Sequence, residues 1–160
     1  MQIFKEEERD LQVLLDSKGF VKLQLLPAAI VSELLDIYNN NPNPKNPYFG
    51  FHVTLDLSAP EKINDISRKI DALIRPYAGA FLENFQFISP RFAVKEPNRN
   101  SHIPPHQDWS FVDESVYQSY NLWIALTPST LDNGTLGFLK GSHNILTNIR
   151  ATPLPIFQVP

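Results

Sequence analysis

Tyr120-Asn121-Leu122-Trp123-Ile124-Ala125-Leu126 sets the fold class. Tyr120, Leu122, Ile124 and Leu126 fall on every second position, the spacing of a strand with one buried face. Downstream, Asp132-Asn133-Gly134 is hairpin or tight-turn chemistry, and Leu136 to Leu139 continues as strand. Upstream, Phe92 alternates with Val94 and Phe85 with Phe87. The chain therefore reads as β from Phe85 onward.

Before Phe85, helix and strand signals alternate. Lys5 to Ser17 has helical composition, with Leu11, Leu14 and Leu15 on one face and Gly19 placed as a stop. Val21, Leu23 and Leu25 alternate with polar residues and predict a strand over Phe20 to Leu26. Pro27 opens a second helix, with Ile30, Val31, Leu34, Leu35 and Tyr38 at helical spacing. Asn39 to Pro47 is a loop by its asparagines and prolines. A strand follows, with Phe51, Val53, Leu55 and Leu57 on one face and His52, Thr54 and Asp56 on the other. Ser58-Ala59-Pro60-Glu61 is a capping box, and the helix it starts carries Ile63, Ile66, Ile70, Leu73 and Ile74 to an end near Pro76. Helices first and strands later predict an α+β class: one domain with a helix-and-strand part over 1–84 and a sheet part over 85–160. About four strands are few for a closed sandwich or barrel, so the core is expected to be incomplete at its C-terminal side, with open edges through which the chain can self-associate.

Composition narrows the function. Apolar residues are 42 % of the chain, which excludes wholesale disorder. With 14 Lys and Arg against 17 Asp and Glu, there is no basic excess to hold a phosphate backbone, so no nucleic-acid partner is expected. The absence of cysteine removes zinc fingers, iron–sulfur clusters and thiol nucleophiles. The charged N-terminus (Lys5, Glu6, Glu7, Glu8, Arg9, Asp10) is unlike a signal peptide, and no run is long enough to span a bilayer. A cytoplasmic protein with no membrane partner is expected, and Asn133-Gly134-Thr135 then reads as turn chemistry rather than a glycosylation site.

One short motif carries a mechanism: Pro104-Pro105-His106-Gln107-Asp108-Trp109. On extended backbone, His106 and Asp108 point to the same side. An imidazole and a carboxylate so placed can hold one metal ion, and a second histidine from elsewhere completes the two-histidine, one-carboxylate triad of iron(II) oxygenases. The plainer reading of the triplet is a surface histidine beside an aspartate that tunes it.

The H-x-D of His106 and Asp108, then Asn121-Leu122-Trp123-Ile124-Ala125-Leu126, Asn133-Gly134-Thr135-Leu136 and Gly141-Ser142-His143 together resemble the phytanoyl-CoA dioxygenase family. Lys95-Glu96-Pro97 is similar to that family's K-x-P segment, and the likeness extends from about Phe20 to Arg150. The resemblance implies a double-stranded β-helix, or jelly roll, flanked by N-terminal helices, and an enzyme dependent on iron(II) and 2-oxoglutarate. It implies His106 and Asp108 as metal ligands, and Trp123 and Gln107 beside the co-substrate. It implies His52 and Arg91 as further residues lining 2-oxoglutarate. The family's distal histidine ligand, and the arginine that pairs with the co-substrate, come well after G-S-H.

Two readings of function follow. The first is a dioxygenase that hydroxylates a small-molecule substrate with O₂, releasing succinate and CO₂. The second is a non-catalytic fragment or degenerate remnant with a weak or absent metal site. His143 is a candidate third ligand or a residue that orders its loop by hydrogen bonding. His102 sits in a polar loop, and Asp113-Glu114 is either a second cation site or a solvated loop. No nucleophile elbow, phosphate loop or dinucleotide fingerprint is present.

Overall fold

The computed structural model describes residues 2–42, 50–54, 59–97, 101–108, 112–113 and 116–145. Helix α1 spans Arg9–Lys18, α2 Ala28–Asn39 and α3 Pro60–Phe81; strand β1 is Phe51–Val53 and β2 Ala93–Lys95. The described residues form two compact units. One comprises those within 2–22, 103–124 and 137–145, the other those within 23–102 and 125–136.

In the first unit, α1 follows a 3-10 turn at Glu6–Glu8 and stops where expected. Gly19 takes a left-handed φ of 83° and returns its N–H to the Leu15 carbonyl at 2.7 Å. The buried residue of α1 is Gln12, while Leu14 is exposed. Gln12 Oε1 accepts the N–H groups of Ile3 (2.9 Å) and Phe4 (3.2 Å), and its Nε2 donates to Asp16 Oδ1 at 2.7 Å. A fully bonded amide can be buried at little cost, and here it fixes the chain entering the helix beside the buried Phe4.

The second unit holds the larger apolar core. Ile66, Ile70, Ile74 and Ala78 recur every fourth residue along α3 and are all buried, and α3 packs on α2 around Leu34. Pro60 occupies the first turn of α3 after Ala59. Ser58 lies outside the described residues. The helix runs past Pro76 to Phe81. An internal proline costs about 3 kcal/mol, but the buried stripe continues on both sides of it through Ile74 and Ala78, and burial of that kind offsets the lost hydrogen bond. At the far end of α2, the side-chain amides of Asn40 and Asn41 donate to the carbonyls of Asp36 (2.9 Å) and Ile37 (3.0 Å).

β1 and β2 pair antiparallel in the register Phe51↔Lys95, His52↔Val94 and Val53↔Ala93. Thr54 extends the ladder: its N–H donates to the Phe92 carbonyl at 3.0 Å, and its Oγ1 accepts the Phe92 N–H at 2.8 Å. Directly opposite residues share a face of an antiparallel pair. His52 and Thr54 thus lie on the inward face with Phe92, whose ring meets Tyr38 of α2 edge-on at 5.5 Å. The alternation holds, with Phe51 and Val53 on the side opposite His52 and Thr54, and it is the side of His52 and Thr54 that is buried. The side bearing the large Phe92 ring is the one that reaches α2, and the opposing strand follows it.

The mixed helix and sheet character agrees with the α+β expectation, but the sheet among the described residues is two-stranded. Phe20 to Leu26, Phe85 to Phe87, Tyr120 to Leu126 and Leu136 to Leu139 are not strands. Phe85 and Phe87 instead flank Arg75, whose guanidinium lies 5.6 and 5.2 Å from their ring centres. That cation–π packing explains their spacing without a strand. Phe20 stacks on Phe138 at 4.7 Å. The Asp132-Asn133-Gly134 stretch is a tight turn as read, with Leu131–Asn133 in a 3-10 turn and Gly134 left-handed at φ 84°. Among the described residues, no helix is long and apolar enough to cross a membrane.

Candidate metal centre

The backbone bends at Pro105 and forms no strand over His106 to Asp108, yet the two side chains meet as their spacing predicted. His106 Nδ1 lies 2.9 Å from the Pro104 carbonyl, and its Nε2 lies 3.1 Å from Asp108 Oδ1. A carbonyl oxygen only accepts, so the Nδ1 atom carries the proton and donates it there. In the neutral ring Nε2 is then a bare lone pair facing a carboxylate oxygen. Two acceptors so close need a positive charge between them, either a second ring proton or a metal ion. The other carboxylate oxygen, Oδ2, accepts a hydrogen bond from the Asn121 side-chain amide. Reading the sequence did not single out Asn121 as a site residue; a polar side chain two positions before Trp123, where the alternation puts it on Trp123's side, is the signal for it.

Gln107 is half-buried between the pair, and Trp123, in the same unit, is 50 % exposed. His52 and Arg91 belong to the other unit. His52 is 2 % exposed, and among the described residues neither of its ring nitrogens has a hydrogen-bond partner. A buried imidazole without partners is costly and calls for a polar guest. Arg91 is half-buried and gives Nε and Nη2 to Ser89 Oγ at 3.0 and 2.8 Å. Burial lowers the pKa of its guanidinium. No hydrogen bond or ion pair joins His52 to Arg91.

The remaining histidines are placed otherwise. His143 donates from Nε2 to the Asp16 carbonyl at 3.1 Å, while the Gly141 N–H donates to the Lys18 carbonyl at 2.9 Å. The G-S-H segment therefore satisfies the free carbonyls at the end of α1, the loop-ordering role rather than the ligand role. His102 is exposed. Asp113 starts a turn, its carbonyl accepting the N–H groups of Val116 (3.0 Å) and Tyr117 (2.9 Å); Glu114 lies outside the described residues. Lys95 Nζ donates to the Gly134 carbonyl at 3.2 Å, so the K-E-P and N-G segments support each other. Among the described residues, no three His, Asp or Glu side chains gather into one metal-holding group.

Comparison with known proteins is consistent with this picture. The family model described as phytanoyl-CoA dioxygenase matches residues 39–160. The Bos taurus protein named phytanoyl-CoA dioxygenase domain-containing protein 1 is 34 % identical over 95 residues, covering 59 % of this chain and 32 % of its own length. The Mus musculus protein of that name is 33 % identical over 78 residues, covering 48 % of this chain and 26 % of its own length. An Arabidopsis thaliana phytanoyl-CoA dioxygenase is 44 % identical over 52 residues, covering 32 % of this chain and 18 % of its own length. The chain thus spans about a third or less of the curated relatives it matches. No solved structure matches it significantly. With a family match over most of the sequence, including the His106–Asp108 pair, the chain belongs to the phytanoyl-CoA dioxygenase family.

Proposed function

We propose that this chain carries two of the three protein ligands of an iron(II)- and 2-oxoglutarate-dependent dioxygenase acting on a small-molecule substrate, on a core of jelly-roll type. The observation that carries the reading is the His106–Asp108 pair: the ring nitrogen Nε2 and a carboxylate oxygen converge at 3.1 Å, a spacing that a shared divalent ion or a shared proton can fill. Imidazole and carboxylate donors suit iron(II), and family membership favours it over other divalent ions. When bound, iron(II) with 2-oxoglutarate and O₂ supplies the oxidative decarboxylation to succinate and CO₂ and the oxidant for hydroxylation.

Taken one at a time, within its own unit, each of these residues has chemistry that suits such an enzyme. The Pro104 carbonyl holds the His106 ring in the tautomer that offers Nε2. His52 has a ring N–H to give to an anionic oxygen and, among the described residues, no protein acceptor for it. Arg91 has a guanidinium bonded to a neutral hydroxyl, which leaves its charge for a carboxylate. Trp123, half exposed, is an apolar wall, and Gln107 a polar neighbour of the ligands.

The test is an anaerobic iron(II) titration of the chain, with and without 2-oxoglutarate, following the visible charge-transfer band of the chelate. The expected result is a band that needs both components and disappears in His106→Ala. If the band is absent from the wild-type chain, the pair is not a competent site by itself, and the remnant reading takes its place.

A further inference from the structure

The Asp108 carboxylate has two oxygens, and the structure gives them different work. Oδ1 faces His106 Nε2, and Oδ2 accepts from the Asn121 amide, thirteen residues along the chain. The direction of the second bond is fixed by chemistry, because a carboxylate offers no proton and only the NH₂ end of the amide can face it. Both ligands are exposed, so without a restraint the carboxylate turns freely and can present either oxygen, or both, to a cation. We infer that Asn121 is a positioning residue that holds Asp108 by Oδ2 and so keeps Oδ1 turned toward His106 Nε2, ready to share a divalent ion with it.

The inference rests on the reading of His106 and Asp108 as metal ligands. An amide is suited to holding Asp108 because it stays a donor at every pH at which the carboxylate is ionised. Orienting partners of this kind typically change metal affinity about 10- to 100-fold when removed.

The experiment uses cobalt(II), an air-stable probe whose visible d–d bands report coordination number. Wild type, His106→Ala, Asn121→Leu and Asn121→Gln are compared by calorimetric titration and absorption spectra, with circular dichroism melts as the folding control. Asn121 is exposed, so its substitution leaves the packed core intact. In Asn121→Leu, affinity is expected to fall about tenfold or more, with d–d bands changed from those of wild type. Asn121→Gln, which keeps the donor, is expected to recover most of the affinity and the wild-type spectrum. Wild-type affinity and spectrum in Asn121→Leu overturn the Asn121 role while leaving the metal reading in place. No cobalt binding to wild type, or equal binding to His106→Ala, overturns the metal reading and this inference with it. Should Asn121→Leu melt early, the glutamine variant decides: a spectrum unlike wild type at unchanged stability also counts against a donor role.

Discussion

The α2–α3 pair with its β1–β2 ribbon and the stretch from Val116 to Ile145 have similarly apolar sequences and opposite fates. In the first, Leu34, Ile66, Ile70, Ile74, Ala78 and Phe92 are buried. In the second, Val116, Tyr117, Tyr120, Leu122, Trp123, Leu136, Phe138 and Leu139 are exposed despite their alternation. A helix makes its own backbone hydrogen bonds and needs only one apolar stripe to dock. A strand makes none alone, and alternation becomes structure only where a partner strand is present. The lesson is that the two kinds of periodicity carry different guarantees.

The largest effect that sharpens this contrast is a truncation in each region. Ile70→Ala, at a side chain 6 % exposed, is expected to cost about 2–5 kcal/mol. Leu139→Ala, at 72 % exposed, is expected to stay within about 0.5 kcal/mol. Urea midpoints measure both, and equal losses would erase the distinction.

A smaller effect is expected where the exposed stretch is anchored to α1. A Cβ at Gly19 would lie 2.4 Å from His143 Nδ1, and the residue also has a positive φ. Gly19→Ala should therefore cost at least the ~1–2 kcal/mol of a left-handed alanine, plus the displacement of His143. Adding His143→Ala should recover the steric part and leave the backbone part. A double mutant no more stable than the single would show that the His143 ring does not sit against this turn.

His52→Leu probes the inward face of the ribbon, and its sign is the point. Replacing a buried, unpartnered imidazole by an apolar side chain is expected to raise ligand-free stability by about 1 kcal/mol. In the same variant, 2-oxoglutarate should no longer stabilise the iron-loaded chain in a thermal melt. Marked destabilisation would instead mean that the imidazole is bonded in solution.

The smallest effect lies on the exposed face of α3. The hydrogen bond from Lys69, at 2.7 Å, holds the pKa of Asp65 below the ordinary carboxylate value. A lowered folded pKa contributes stability above the unfolded value and loses it as pH falls through the folded one. Asp65→Asn should therefore differ from wild type at neutral pH and converge with it in acid, below the ordinary carboxylate range. Salt should shrink the difference, since the pair is exposed. A gap between the two urea midpoints that persists at pH 2 would rule out ionisation as its cause.

Much of the candidate site was legible from residue types alone. The i, i+2 spacing of His106 and Asp108 was enough to expect their side chains together, and the structure puts them together without a sheet around them. Gly19 and Gly134 were read as a helix stop and a turn, and both hold the left-handed φ those roles need. Asn121 escaped notice because its role depends on a contact thirteen residues away, which no local pattern encodes. His52 was read on the face opposite Phe51 and Val53, where it lies, but its burial was not legible: alternation says which residues share a side, never which side meets the core.

By itself the sequence determined the three helices, the helix stop at Gly19, the apolar stripe of α3, the tight turn at Gly134, the meeting of the His106 and Asp108 side chains and the family. These follow from interactions within a few residues, or from residue identities in fixed order. Only the tertiary structure decided the inward turn of His52 and Thr54, the continuation of α3 through Pro76, the docking of His143 on α1 and the bond from Asn121 to Asp108. Each of these depends on which distant group supplies the missing partner, an apolar neighbour or a hydrogen-bonding atom, and that choice is made by packing.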